Sequence, residues 1–393
     1  MNTDNLTMTK TSSKTDSGLK ILPVEEWPLF KKRPLMIAGP CSAESEEQVL
    51  ATAAALSSSG RVDLFRAGIW KPRTRPGQFE GVGTPGLLWL KRVKDELGLP
   101  VAVEVATERH VYEALKHGVD AVWIGARTSV NPFAMHEIAS ALRDADVMVF
   151  VKNPVNPDLE LWIGALERIS RAGISRLAAV HRGFSTWEKS SFRNQPRWQI
   201  AVELRQRIPG IGLICDPSHM GGDSAFIGDL SQKAMDLNYD GLMVESHIDP
   251  PSALSDRKQQ ITPVELMSVL GNLVLRSPSS DDPEFLETIE DLRSQIDVYD
   301  NLLLDILESR MQVAETIGRY KKEHGITILQ SARWKEVRNN AVDKGVRKGL
   351  TPEFISTMLE AIHQESISHQ MKVMKEEQVR GLVLLTGKGH LYE

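Results

Sequence analysis

The chain has 393 residues, 41% of them hydrophobic and 25% charged, with a formal net charge of −5. That length holds two domains or one large barrel with an addition, and the mild acidity excludes the basic surplus that non-specific nucleic-acid binding requires. Cys41 and Cys215 are the two cysteines, which excludes a disulfide framework and fits a reducing cytoplasm, while no apolar run reaches the ~20 residues that span a bilayer.

Residues 1–32 begin polar, rich in Ser, Thr and Lys, and read as a flexible N-terminal tail without the apolar segment of a signal peptide. From residue 33 a rhythm sets in. Short runs at 35–38, 63–66, 101–105, 121–124, 147–151, 177–180, 212–215 and 241–244 are apolar on both faces, as parallel strands buried on both sides must be. Between them lie helical patterns at 44–56, 85–97, 108–117, 132–144, 158–172, 197–207, 225–237 and 263–275. Thr84-Pro85, Asn131-Pro132 and Thr262-Pro263 read as a capping residue followed by proline in the first turn. Eight strands alternating with eight helices predict a (β/α)8 TIM barrel over residues 33–276, with an open doubly wound sheet as the runner-up.

Residues 277–283, Ser-Pro-Ser-Ser-Asp-Asp-Pro, hold no apolar side chain and read as a linker. Beyond them the pattern is purely helical. Ile289, Leu292, Ile296, Tyr299, Leu303, Ile306, Val313, Ile317 and Tyr320 recur at spacings of three and four, with Arg310 in the same register. A helix over 283–324 is about 60 Å long, more than a small domain covers, so a partner helix is expected along it. Helices over 331–344 and 351–377 complete an all-α domain at 284–377, and residues 378–393 form a C-terminal tail.

Function in such barrels sits at the carboxyl ends of the strands. Those ends carry Gly39-Pro40-Cys41-Ser42, then Arg66 with Lys71-Pro72-Arg73-Thr74, Glu104, Gly125-Ala126-Arg127, Lys152, His181-Arg182, Asp216-Pro217-Ser218-His219 and Glu245-Ser246-His247, with Asp256 in the last loop. Cys41, His219, Glu245 and Asp256 make a candidate site for a divalent metal ion. One thiolate, one imidazole and two carboxylates suit Mn, Fe, Co, Zn or Cu over Mg or Ca. Arg66, Lys71, Arg73, Arg127, Lys152 and Arg182 repel one another unless an anion sits among them, which implies a substrate bearing phosphate and carboxylate.

In their order these motifs resemble 3-deoxy-D-arabino-heptulosonate-7-phosphate (DAHP) synthase over roughly residues 33–275. The resemblance implies condensation of phosphoenolpyruvate with erythrose 4-phosphate, the first step of the shikimate pathway. It assigns Arg127, Lys152 and Arg182, helped by Arg66 and Lys71, to phosphoenolpyruvate, and Arg73 with Thr74 to the aldose phosphate. The metal on Cys41, His219, Glu245 and Asp256 would polarise the aldehyde, and Lys71 would move a proton to the developing alkoxide. The sister synthase that uses arabinose 5-phosphate has Asn-Arg-Ser-Ser where this chain has Pro72-Arg73-Thr74.

On the helical part, Arg310 and Lys321 are eleven residues apart and share a face, whereas Arg293 points about 100° away. If the three serve one site, Arg293 must reach a neighbouring protomer's pocket. With Arg333, Ser366 and Gln370, this spacing resembles the all-helical class of chorismate mutase over about 284–377. That implies a homodimer, or a higher homo-oligomer, built through these helices. Cations would hold the carboxylates of chorismate, and Lys321 and Gln370 are the candidate donors at the ether oxygen on the way to prephenate. Gln330 and Trp334 stand where the family has Asp and Glu around Arg333, so the mutase is expected to be weak. The fusion also suggests that chorismate or prephenate in the helical part regulates the barrel. The rival expectation makes the helical part a sensor and dimerisation module.

Overall fold

The computed structural model describes residues 18–71, 77–187, 190–277, 279–329 and 331–386, and for residues 331, 332 and 376–386 the backbone alone. The chain divides into two compact units, Met1–Pro278 and Ser279–Glu393.

The first unit runs β1 (Leu35–Gly39), α1 (Glu46–Ser57), β2 (Leu64–Arg66), α2 (Pro85–Leu97), β3 (Val101–Val105), α3 (Glu108–Lys116) and β4 (Ala121–Ile124). It continues with α4 (Ala126–Ser129), α5 (Pro132–Ala141), β5 (Met148–Lys152), α6 (Leu159–Arg171), β6 (Leu177–His181) and α7 (Trp198–Arg207). Then come β7 (Gly212–Cys215), α8 (Pro217–Gly221), α9 (Ile227–Asp236), β8 (Gly241–Glu245) and α10 (Pro263–Asn272). The eight strands form a closed parallel barrel in chain order, because β1 pairs with β8 from Leu35↔Gly241 to Gly39↔Glu245. That pairing rules out the open doubly wound sheet.

Each strand lies within one residue of its expected span, since a run buried on both faces has sharp polar edges. The helices deviate more. The expected 132–144 helix stops at Ala141, and Asp144 turns with a φ of 55°. Asn131 and Thr262 do cap with their side chains, Thr262 in a full capping box with Glu265. Thr84 does not; its backbone is already helical, and its side chain makes no capping hydrogen bond.

Alternation along the strands divides the core into two layers. Ile37, Leu64, Ala102, Trp123, Phe150, Val180, Ile214 and Met243 fill the barrel interior, and their neighbours on each strand pack outward against the helices. The expected flexible tail through residue 32 needs correction. Val24 and Trp27 are only 1% and 2% exposed and belong to the interior layer. The Trp27 ring meets Phe150 edge-on at 5.6 Å, and its N–H donates to the Leu22 carbonyl at 2.9 Å. Residues from about 19 to 30 therefore help close the barrel's amino end, and the opposite end is left for chemistry.

The second unit has α11 (Pro283–Glu323), α12 (Ser331–Val346) and α13 (Pro352–Thr386). Gly318 lets α11 and α13 approach closely, since a Cβ there would lie 3.1 Å from the Gln370 Cα. Leu292, Ile296, Tyr299, Leu303 and Ile306 along α11 are 49 to 64% exposed within the single chain. No helix among the described residues is long and apolar enough to cross a membrane.

Candidate active site

The barrel's carboxyl end opens into a cavity of about 590 Å³ whose wall includes Lys71, Glu104, Arg127, Lys152, Arg182, Arg193, His219 and Asp256. Strand register brings these groups to one level: Gly39 pairs with Glu245, and His181 pairs with Cys215 one residue before Asp216. Gly39 is itself a requirement of the site. Its φ is 149°, and a Cβ would stand 2.1 Å from the Arg66 carbonyl oxygen, so only glycine lets the ends of β1 and β2 meet.

Two layers of charge follow. Beneath the cavity, Arg66 and Glu245 are both fully buried and face each other at 3.2 Å, with the guanidinium 4.6 Å over the Trp123 ring. Glu245 Oε2 accepts from Gln259 at 2.7 Å, while among the described residues Oε1 accepts no directed hydrogen bond, although Arg66 and His219 lie within 3.7 Å. Above it, Lys152 donates to Asp216 at 2.7 Å, and the same carboxylate holds His219 Nδ1 at 2.8 Å. Asp216 thereby fixes which imidazole nitrogen faces the cavity. Arg193, from the loop after β6, donates to Asp256 at 3.0 Å and to Gln259 at 2.7 Å. Asn194 ties the Arg182 guanidinium at 2.7 Å to the His219 carbonyl at 2.6 Å.

These contacts set the protonation states. Burial alone would raise Asp216, but His219 and Lys152 outweigh it and hold the carboxyl well below its usual range. Glu245 is lowered in the same way against burial, by His219, Arg66 and Lys71. Burial, reinforced by Glu245, pushes the Cys41 thiol up to about 12, so it is neutral near pH 7. Lys71 donates to that sulfur at 2.8 Å. Burial opposes the lysine's charge, but its surroundings, Cys41 first and then Glu245, carry its pKa above the ordinary value. Burial, with Arg193 and Arg127 nearby, lowers Arg182 to about 10, so it is still a cation at pH 7.

His181 ends β6 but serves stability. Its Nδ1 meets the Tyr239 hydroxyl at 2.8 Å among Trp162, Phe184 and Trp198, and burial lowers its pKa to about 3. Because the folded value lies below the unfolded ~6.5, the unfolded chain binds the proton first as pH falls. The stability this neutral ring contributes is full above pH 6.5 and is lost towards pH 3, at about 1.4 kcal/mol per pH unit. Thermal melts across that window fall less steeply in His181→Phe than in the parent; equal slopes would show that this ring is not responsible.

The four proposed metal ligands converge in two pairs, Cys41 Sγ 3.4 Å from Asp256 and His219 Nε2 3.7 Å from Glu245. Among the described residues, no three His, Cys, Asp or Glu side chains are drawn tightly enough together to hold an ion as they stand. Lys71 and Arg66 occupy the cationic positions instead. The donor types still fit a divalent ion, and among the described residues Glu245 keeps one buried oxygen without a directed hydrogen bond. Of the predicted anion-binding residues, Lys71, Arg127, Lys152 and Arg182 line the cavity. Arg66 lies below it against Glu245, and Arg73 and Thr74 fall outside the described residues. Arg193, Asn194, Asp216 and Gln259 were given no role by sequence reasoning.

In the helical unit, Arg310, Lys321, Arg333, Ser366 and Gln370 line one cavity of about 370 Å³ between α11, α12 and α13. Arg310 donates to the Ser366 hydroxyl, Lys321 to the Ile328 carbonyl, and Arg333 to Glu336 at 2.8 Å. One N–H of Gln370 goes to the Ser366 carbonyl at 3.3 Å, and its buried Oε1 has no partner among the described residues. Arg293 does not join them; it is exposed and 3.8 Å from Glu290 on its own helix. Trp334 and His363 form part of the wall, stacked at 4.0 Å.

Comparison with known proteins finds a family match in each of the two units. Residues 31–274 match the DAHP synthetase I family and residues 292–371 match chorismate mutase type II. The phospho-2-dehydro-3-deoxyheptonate aldolase of Thermotoga maritima is 33% identical over 226 residues, covering 58% of this chain and 64% of that protein, so the chain spans less than two thirds of its length. The 2-dehydro-3-deoxyphosphooctonate aldolase of Wolinella succinogenes is 27% identical over 270 residues, 62% of this chain and 99% of that one. The crystal structure of the Thermotoga maritima phospho-2-dehydro-3-deoxyheptonate aldolase superposes with a TM-score of 0.55 at 31% identity, covering 60% of this chain and 67% of that one. A truncated form of 3-deoxy-D-arabino-heptulosonate 7-phosphate synthase from the same organism gives 0.52 at 28% identity, covering 60% and 83%. With its family match extending over well more than half of its length, the chain belongs to the DAHP synthetase I family, and its barrel is followed by a helical region of the chorismate mutase type II kind.

Proposed function

We propose that the barrel condenses phosphoenolpyruvate with erythrose 4-phosphate to DAHP and phosphate, and that the helical unit rearranges chorismate to prephenate. The observation that carries the first half is the gathering of Lys71, Arg127, Lys152, Arg182 and Arg193 around one cavity in a chain of net charge −5. Cations crowded in this way need an anion with several oxygens. In this reading Arg127, Lys152 and Arg182 take the phosphate and carboxylate of phosphoenolpyruvate. Arg66 acts from beneath by holding Glu245, and Arg73 with Thr74 takes the aldose phosphate. The alkene carbon attacks the aldehyde, water adds to the resulting cationic carbon, and phosphate leaves. Lys71, charged and close to the cavity floor, gives a proton to the developing alkoxide. Glu104, on the same wall, orients the water.

Cys41, His219, Glu245 and Asp256 would hold a divalent ion such as Mn, Fe, Co or Zn. Bound there, it supplies Lewis-acid polarisation of the aldehyde oxygen. Loss of phosphoenolpyruvate absorbance tests the whole reading. It is expected with erythrose 4-phosphate, to be negligible with arabinose 5-phosphate, and to stop on chelation and return with Mn²⁺. Equal turnover of the two aldoses would overturn the choice of substrate, and activity that survives exhaustive chelation would overturn the metal.

For the helical unit, three cations around a pocket with apolar walls support a dicarboxylate held for a reaction that needs only orientation and charge stabilisation. The exposed apolar face of α11 supports a homodimer, or a higher homo-oligomer, in which Arg293 of one chain completes the pocket of the other. A second reading makes this unit mainly a prephenate or chorismate sensor that regulates the barrel, with weak mutase activity; Trp334 on the pocket wall favours it. Barrel rates at saturating prephenate decide between silence and control.

A further inference from the structure

Of the four proposed metal ligands, His219 is steered by the Asp216 carboxylate. The other three meet a different element. Cys41 follows β1, Glu245 ends β8 and Asp256 lies in the loop beyond it. All three connect to two adjacent glutamines, Gln259 and Gln260, which are only 1% and 3% exposed. The Gln259 amide accepts from Arg193 at 2.7 Å and donates to Glu245 Oε2 at 2.7 Å. The same guanidinium nitrogen donates to Asp256 at 3.0 Å. The Gln260 amide accepts from the Cys41 N–H at 2.9 Å. It donates, also at 2.9 Å, to the carbonyl of Ser255, the residue before Asp256.

Backbone contacts hold the two glutamines themselves. Gln259 closes a short helical turn, Arg257–Gln259, and its N–H donates to the Asp256 carbonyl at 3.2 Å. Gln260 is extended, and the next residue pins the chain to the end of β8, the Ile261 N–H donating to the Glu245 carbonyl at 3.1 Å. Each amide oxygen meets a donor and each amide nitrogen an acceptor, so neither group can turn over without losing two buried hydrogen bonds. An amide also suits the position chemically. It is neutral, so it holds one oxygen of Glu245 without supplying a charge that would compete with a metal ion for the carboxylate.

We infer that Gln259 and Gln260 are the positioning residues of the proposed metal site. Gln259 sets Glu245 and, through Arg193, Asp256; Gln260 fixes the Cys41 backbone against the Asp256 loop. This rests on the reading of Cys41, His219, Glu245 and Asp256 as metal ligands. Partners of this kind behind the ligands typically carry about 10–100-fold in metal affinity.

The test titrates Co²⁺ alone into the full-length, metal-stripped protein, followed by calorimetry and by the absorption band of a cysteine thiolate on cobalt. Gln259→Met and Gln260→Met keep the length of the side chain and remove the amide. Each is expected to weaken Co²⁺ binding by about 10–100-fold. Trp27→Leu, at the barrel's opposite end, lowers stability without touching these loops and is expected to keep the affinity of the unsubstituted protein. Unchanged affinity in either methionine variant overturns the inference. So does an equal loss in Trp27→Leu, because the glutamines would then act through stability alone. If a methionine variant does not fold by circular dichroism, Asn at the same position replaces it; its amide is one methylene too short to span both partners, and unchanged affinity there overturns the inference. The underlying reading fails separately: an unsubstituted protein that binds no Co²⁺, or binds it without the thiolate band, removes the ligand set and the positioning role with it.

Discussion

Substituting Arg310 with alanine lowers the rate of chorismate loss by about 10²–10³-fold, and leaves phosphoenolpyruvate consumption, measured without added chorismate, unchanged. The size of the effect follows from position. Arg310 interrupts an otherwise apolar register on α11 and is anchored to the Ser366 hydroxyl of α13. Its donors are therefore held in place before a carboxylate arrives. Removing a preorganised cation from a partly desolvated pocket loses roughly 3–4 kcal/mol of transition-state stabilisation. Arg293→Ala is the informative companion. It lies outside the pocket within one chain, so a loss of mutase rate in that variant, tracked against oligomeric state by sedimentation, requires a second copy to supply it. If the Arg310 variant turns over chorismate at the parent rate, the pocket has been misread.

The second large effect is expected at Glu245→Gln. Neutralising this carboxylate leaves the Arg66 guanidinium, 1% exposed, in the barrel interior with no anion beside it, only the Trp123 ring and a 3.4 Å hydrogen bond to the Cys41 carbonyl. Breaking one side of a buried pair costs about 3–5 kcal/mol. For a unit of this size that lowers the melting temperature by on the order of 10 °C. The same substitution removes one of the four proposed ligands, so Mn²⁺ affinity in a titration falls sharply. Adding Arg66→Met to Glu245→Gln separates the two consequences. The double variant regains much of its melting temperature, because the Arg66 charge is no longer there to be stranded, but does not regain the metal. A single variant that melts like the parent would mean that the pair carries little of the barrel's stability.

Much of the barrel was legible because its signals are local. Strands buried on both faces read as unbroken apolar runs, and each such run ended within a residue of a real strand. Chemistry-bearing side chains follow those ends, so Cys41, Lys71, Arg127, Lys152, Arg182, His219, Glu245 and Asp256 could be gathered before any contact was known. Helical spacing put Arg310 and Lys321 on one face and set Arg293 apart, and the resemblance to the all-helical mutases added Arg333, Ser366 and Gln370, which line the same pocket. The tail was misjudged for want of such a signal. Val24 and Trp27 are too few to make a periodic pattern, and nothing local shows that the barrel's open amino end will receive them.

By itself the sequence determined the alternation of strands and helices, the change to pure helix after residue 283, and the level at which the reactive groups would lie. Each of these is a property of residues a few positions apart. Only the tertiary structure decided who faces whom. Arg66 meets Glu245 below the cavity, Lys152 and His219 share Asp216, and Arg193 joins Asp256 to Gln259. The Cys41 N–H finds Gln260, 219 residues further along the chain. Such partners are selected by closing eight strands in one register, a global condition that brings distant loops together and leaves no trace in local spacing.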